Sequence, residues 1–348
     1  MGKISGKWQY ELGHNVESHD YEINDLGFLG SPNEFSTYGN ISYNIFKPKG
    51  KVLRWSSRFG FWYDRLYKPN TFNSFGFWNN TWARFKNFWS AGYFIGVRPI
   101  EGHDFFEPRT DGFFFNRPSS YNMEVWVDSD SRKRLFVGGY IGYWNRPSWG
   151  QLDFFMGINP RFRVNDKLSF NHNLRFNRQG ENIGYATKLY DNQDNLEEIV
   201  MGQRNVQNIT NTFTMSFAFN ALMNINLRVR HYWSRVRYNR FHFLQEDGSI
   251  EESTYTGWDE ENDESLHDAN FNAFNVDLVY TWQFAPGSEM SVVWKDAIVD
   301  FDRNTNYNFG GNFVKTLRAP QLNSFSIRIL YFFDYLYLKN MGKKRKKV

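Results

Sequence analysis

Asp104, Glu107 and Arg109 place two carboxylates and a guanidinium on one long connection, Arg98–Ser120. Folded into a channel, such a segment narrows it and selects solutes by charge. The plainer alternative is a loop-anchoring ion pair, Glu107 with Arg109 or with an arginine on a neighbouring strand. Arg161, Arg163, Arg175, Arg228 and Arg230 share the polar parity of three alternating segments, and Asp277 has that parity on a fourth. Side by side they would form a basic stripe that draws anions. Laddered with Asp153, Asp277 and other acids, they would cancel.

Asp259, Glu261 and Asp263 belong to the densest acidic run, Asp259–Glu264. Ca²⁺ needs several carboxylate oxygens to converge. The run lacks the glycine at the turn of a calcium loop, which favours a solvated loop. No other cofactor is implied. Trp149, Tyr255 and Trp258 sit on connections where they could stack on glycans. Aromatics at the ends of membrane strands more often form an interfacial girdle.

Enzymatic chemistry is thin. None of the seven histidines stands in a His-Glu-x-x-His pattern, and no Gly-x-Ser-x-Gly elbow, phosphate loop or dinucleotide glycine fingerprint occurs. There is no cysteine, hence no thiolate nucleophile, thiolate metal site or disulfide. Ser234, His242 and Asp268 supply the groups of a hydrolytic triad, but no spacing joins them. The expectation is a protein that is not an enzyme.

Strands must position these groups. Aromatic residues are 20% of the chain, yet mean hydropathy is −0.64. Aromatics alternate with Asn, Arg and Ser throughout, as expected where one strand face meets lipid and the other a polar lumen. In Phe35–Phe46, Phe35, Ile41, Tyr43 and Ile45 oppose Ser36, Asn40, Ser42 and Asn44. The same period marks Leu152–Val164, Leu168–Phe176, Met223–Trp233 and Phe274–Phe284. Weaker alternation predicts strands at Lys7–Ser18, Val52–Tyr63, Phe75–Phe85, Phe88–Val97, Tyr121–Asp128, Leu135–Trp144, Asn208–Phe219, Met290–Asp296 and Phe325–Tyr335. The two faces of Phe75–Phe85 are poorly separated, so its register stays open.

Lys47–Gly50, Lys86–Asn87, Asn165–Lys167, Asn220–Ala221 and Ala285–Ser288 read as tight turns. Long segments alternate with them: His19–Asn33, Asp64–Ser74, Arg98–Ser120, Arg178–Gln207, Ser234–Ala273 and Ala297–Ser324. Asn145–Trp149 breaks the alternation by being short. The expected fold is all-β, a transmembrane antiparallel up-and-down barrel of about fourteen strands, with short periplasmic turns and long extracellular loops. Residues 1–338 would form the barrel and 339–348 a basic tail. A soluble sandwich or propeller is the competing architecture, and no fixed repeat supports a propeller. Lys and Arg number 41 against 37 Asp and Glu, a net of +4, too balanced to suggest nucleic acid. The expected partners are the lipid bilayer and, beyond it, glycans or other outer-membrane proteins. No run of 18 apolar residues could form a spanning helix. Met1–Tyr10 shows no signal-peptide pattern.

Several segments carry a family resemblance: Asn24–Phe28, His103–Arg109, Asp130–Lys133, Arg228–Ser234 and Ala319–Ser326 leading into Tyr331–Tyr335. Their order and spacing resemble an uncharacterised outer-membrane barrel domain of Bacteroidota that usually follows a carbohydrate-binding module of the family-nine type. The resemblance implies a barrel in the bacterial outer membrane, the C-terminal part of a longer protein, and an association with glycans. The expected role is a non-enzymatic pore or a structural or assembly component of that membrane. The alternative is the anchor of a glycan-binding or glycan-processing protein at the surface.

Overall fold

The computed structural model describes residues 1–21, 32–333, 335, 336 and 339. Among them fourteen strands of nine residues or more follow one another, in chain order, across one antiparallel sheet. They are β1 (Trp8–Glu17), β2 (Glu34–Ile45), β3 (Val52–Leu66), β4 (Phe72–Phe85), β5 (Ser90–Arg98), β6 (Ser120–Asp128) and β7 (Leu135–Arg146). The second half comprises β8 (Gln151–Arg163), β9 (Leu168–Tyr190), β10 (Leu196–Asn220), β11 (Met223–Leu244), β12 (Ala269–Ala285), β13 (Ser288–Asp302) and β14 (Gln321–Leu330). Among the described residues β14 pairs only with β13, and the outer edge of β1 meets only Met1–Lys3. The basic run Lys343–Lys347 and Asn24–Phe28 lie outside the described residues.

Register turns the two-residue period into two continuous faces. Tyr10, Ile41 and Phe59 stand side by side on β1–β3. Val125, Ile141, Met156, Phe176 and Ile209 form a row across β6–β10. Met215, Leu227, Leu278, Trp294 and Phe325 form another across β10–β14. This apolar face is not a core. Ile41 is 47% exposed and Ile141 51%, and no second large sheet covers them among the described residues. A soluble sandwich would have buried both.

The opposite face carries the polar residues, and aromatics stand there too. Phe75 and Phe77 of β4 take the apolar face, while Trp78 and Trp82 take the polar one. The Trp78 indole lies across Gly60, where a Cβ would sit 2.6 Å from the ring; Phe155 covers Gly142 in the same way at 2.4 Å. Glycine is required at both positions because the neighbouring ring occupies the Cβ space. These rings on the polar face explain why Phe75–Phe85 shows no clean alternation.

The sequence underestimates several strands, β9–β11 most of all, and β13 runs over Ser288–Asp302 rather than Met290–Asp296. The expected loop Arg178–Gln207 is mostly strand: β9 and β10 run on to a tight turn at 191–195, and β11 continues to Leu244. Register shifts between Gln179 and Asn182 and between Tyr185 and Thr187 break the alternation there. Asp64–Ser74 likewise shrinks to a connection at 67–71. At the ends of β9–β11, Phe115, Ile183, Ile199, Met201 and Leu244 form the buried apolar cluster.

The expected connection Ala297–Ser324 contains a helix, α1 (Phe309–Arg318). The Asn308 side chain caps it by accepting the Gly311 N–H at 2.8 Å, Lys315 and Arg318 oppose the dipole in the last turn, and Pro320 follows. α1 lies on the apolar face where that face turns polar. Asn312 Oδ1 accepts from the side-chain amides of Asn270 and Asn272, each at 3.1 Å, and the Trp233 indole donates to Asn270 Oδ1 at 2.7 Å. Lys315 pairs with Asp300 and, at 2.7 Å, with Asp302. His231 has the outward parity expected of an interfacial residue, but α1 buries it against Phe309 and Phe313, at 5.8 and 5.0 Å between rings. No helix among the described residues is long and apolar enough to cross a membrane.

Replacing Asn312 by Leu should leave the buried Asn272 amide without the donor and acceptor it exchanges with Asn312, while Asn270 keeps its longer bonds to Asp302, at about 1–3 kcal/mol for each orphaned group. Thermal unfolding followed by circular dichroism should show a lower midpoint for Asn312→Leu than for the parent. An unchanged midpoint would mean that α1 is not docked through this cluster.

Candidate functional site

The connection between β5 and β6 folds into a short hairpin, Gly102–Asp104 paired with Phe115–Arg117, that lies over the polar face. Its geometry begins with Asp104. One carboxylate oxygen accepts the backbone N–H groups of Phe106 and Glu107, both at 2.9 Å, and closes the turn. The other accepts Arg117 Nε at 2.7 Å, while Arg117 Nη2 donates to Glu107 at 2.9 Å. The remaining Glu107 oxygen accepts the Tyr185 backbone N–H of β9 at 2.8 Å. The ion-pair reading of this segment therefore holds in kind, but the cation is Arg117. Arg109 instead lies over the Tyr185 ring at 4.5 Å, and its carbonyl accepts from Lys188 at 2.8 Å.

Apolar packing fixes the rest of the hairpin. Phe115 is buried and stacks on Trp149 at 5.2 Å. Asn116 donates its backbone N–H to the Gly248 carbonyl at 2.9 Å and its side chain to Asp247 at 3.0 Å. Gly102 sits against the Asn73 carbonyl, where a Cβ would approach to 2.7 Å. The hairpin thus touches β4 at one end and β9 and the connection after β11 at the other.

Beneath it lies a cavity of about 360 Å³ lined by Asp64, Ser74, Arg98, His103, Asp104 and Arg117. Arg98 and Arg146 lie within electrostatic reach of Arg117. Arg98 faces the Trp62 and Trp144 rings at 5.9 and 5.5 Å, and Arg146 faces Trp144 at 5.0 Å. Gln151 is fully buried and donates to both oxygens of Asp153 at 3.0 Å. Burial pushes the Asp104 carboxyl up, but the Arg117 charge and the bonds it accepts outweigh that and hold it below the ordinary aspartate value. Sequence reasoning missed Arg98, Arg117 and Arg146. Arg98 and Arg146 stand at strand ends with polar parity, a signal that was present. Arg117 gave none, because its segment reads as loop.

The expected arginines fall on the polar face as a group. Arg161 stands opposite Asn171, Arg163 opposite Ser169, and Arg175 between Gly157 and Thr210. Arg230 stands between Thr212 and Asn275, and Arg228 between Thr214 and Asp277. Asp277 forms its ion pair with Lys295, at 3.9 Å, and Asp153 belongs to Gln151. The expected neutralising ladder is therefore not built. None of the five arginines has a carboxylate within 4.0 Å among the described residues.

Other expected sites are not assembled. Trp149 is engaged by Phe115. Tyr255 meets Phe241 edge-on at 5.1 Å and bonds His267 at 2.7 Å. Trp258 alone of the three aromatics stays open, at 48% exposure. Asp259 accepts the N–H groups of Glu261 and Asn262, and Glu264 pairs with Arg303 at 3.2 Å. No three acidic, histidine or cysteine groups converge on a metal position among the described residues, Asp259, Glu261 and Asp263 included. His242 bonds Gln203 at 3.0 Å and stands eight positions from Ser234 on β11, about 26 Å along a strand, so no triad forms.

Comparison with known families finds a match over residues 1–342 to one described as a domain of unknown function, DUF5916. The chain belongs to that family. No curated protein matches the DUF5916 chain. Of the segments that carried the resemblance, His103–Arg109 forms the charged turn over the polar face. Asp130–Lys133 forms a tight turn in which Asp130 accepts the Arg132 N–H at 3.0 Å.

Arg117→Met should cost about 1–3 kcal/mol of hairpin docking, since two partly buried carboxylates lose their cation. Limited proteolysis should cut within 99–119 much faster in the variant. A depressed carboxyl contributes stability above its ordinary value of 3.8 and loses it as pH falls through the folded value. The parent hairpin should therefore stay protected from neutral pH down to that range and open below it. Arg117→Met should lack that acid step, and an identical acid step in both proteins would disprove the assignment.

Proposed function

We propose that this chain forms the wall of a transmembrane β-barrel in a bacterial outer membrane and acts as a passive, anion-favouring pore. The observation that carries the reading is the uncovered apolar face. It runs over Leu152–Phe162 on β8 and Leu168–Phe176 on β9, the roughly 9–11 residues that a tilted strand needs to cross hydrocarbon. A face this large and this exposed requires an apolar solvent. The hairpin supports a curled sheet. In a flat sheet β4 and β9 would lie five spacings apart, about 24 Å, yet Asn73 and Tyr185 flank the same short turn. In lipid the edges of β1 and β14 must be paired, because each unpaired backbone group there costs several kcal/mol. Tight turns at 46–51, 86–89, 129–134, 164–167, 221–222 and 286–287 share one end of the sheet and fit the periplasmic side.

Selectivity follows from the polar face. Five arginines without carboxylate partners make the lumen wall of β8–β11 electropositive, and the Asp104–Glu107–Arg117 hairpin narrows the passage near the opposite end of the strands. Glycan capture at the rim has weaker support, since Trp258 alone of the expected platform remains open.

Reconstituted in planar bilayers, the parent should pass steady current with a reversal potential favouring anions. Arg228→Glu combined with Arg230→Glu should move that potential toward cations. A protein that stays monodisperse without detergent and never inserts would refute the reading.

A further inference from the structure

We infer that the outer rim of the apolar face binds the phosphate of anionic lipid headgroups through Arg178, Arg235 and Arg237. The inference rests on the membrane reading and adds a ligand class on the side of the wall away from the lumen. It starts from register. On β9, β10 and β11 the apolar positions end at Phe176, Ile209 and Trp233, which form one row. The next position outward on each strand is polar: Arg178, Gln207 and Arg235, with Gln207 opposite both arginines. Arg237 follows on the same face, opposite Asn205.

Arg235 is fixed in place. Its Nη1 donates to the carbonyls of Thr305 and Tyr307, at 3.2 and 3.4 Å, and its Nη2 donates to Gln207. Arg178 and Arg237 are exposed and lie close enough to repel it. None of the three has a carboxylate within ion-pair distance among the described residues. The acids nearby are committed elsewhere: Glu181 accepts from Gln203 at 2.7 Å and Asn239 at 3.1 Å, and Asp300 and Asp302 hold Lys315. The guanidinium groups of Arg178, Arg235 and Arg237 therefore have no carboxylate bound to them among the described residues.

Its height on the wall selects the ligand. Charge on the lipid face is costly at the bilayer midplane and nearly free at the interface. A cationic row immediately above the apolar belt marks that interface. α1 marks the same level independently: it lies on this face beside Thr305 and Tyr307 and leaves Val314 and Leu317 exposed, as an interfacial helix does. What meets guanidinium groups there is the headgroup layer. A phosphate oxyanion accepts the paired donors of a guanidinium, whereas a zwitterionic headgroup offsets its phosphate with its own cation.

The test uses the full chain in phosphatidylcholine vesicles with spin-labelled phosphatidylglycerol or spin-labelled phosphatidylcholine, and reads the relative association of the two lipids by electron paramagnetic resonance. The parent should prefer phosphatidylglycerol. Arg178→Gln combined with Arg237→Gln should weaken that preference about fivefold for each cation removed. Arg178→Lys combined with Arg237→Lys should keep most of it. Millimolar inorganic phosphate should not abolish it at constant ionic strength. A parent that inserts but shows no preference, a glutamine variant that matches the parent, or full competition by free phosphate would each overturn the headgroup site alone. Failure to insert into any vesicle would overturn the membrane reading with it.

Discussion

The hydrogen-bonded register between neighbouring strands is the constraint on which the rest depends. Side chains alternate with a period of two, so a slip of one residue in any pairing would carry a whole apolar set to the polar face. Across the fourteen strands that slip does not occur within the region of clean alternation. Register shifts fall near strand ends or within the outer halves of β9–β11, beyond the row Phe176, Ile209 and Trp233. The apolar belt and the arginine-lined face are therefore two consequences of one pairing scheme.

Polar groups on the apolar face test that scheme, and α1 resolves the conflict. His231, Asn270 and Asn272 have the parity of the apolar face, where polar groups without partners are costly. The helix supplies Asn312 as a hydrogen-bond partner and Phe309 and Phe313 as cover. Inside, a similar economy joins large rings to glycines. Trp78 over Gly60 and Phe155 over Gly142 bring strand backbones and rings into contact without a second layer.

Charge follows a different logic at the hairpin than on the strands. Arg117 is shared by two carboxylates and drawn over a cavity with Arg98 nearby, so each ion has a partner or an aromatic face. The strand arginines Arg175, Arg228 and Arg230 face open space and polar neighbours instead.

The sequence by itself determined the class of fold, the number of long strands and the parity of each expected arginine, because alternation is local and written in every segment. It also marked Asp104–Arg109 as a charged segment of a long connection. It could not show that Arg117, twelve or so positions away in a segment without periodicity, is the cation that holds Asp104 and Glu107. It hid the outer halves of β9–β11, since bulges erase the period, and it hid α1, whose apolar residues read as a loop between strands. It left open whether Asp153 and Asp277 neutralise the arginines, because that depends on which side chains lie opposite one another across strands. Those outcomes belong to tertiary structure for one physical reason: they are set by contacts between segments far apart in the chain, where neither composition nor periodicity carries information.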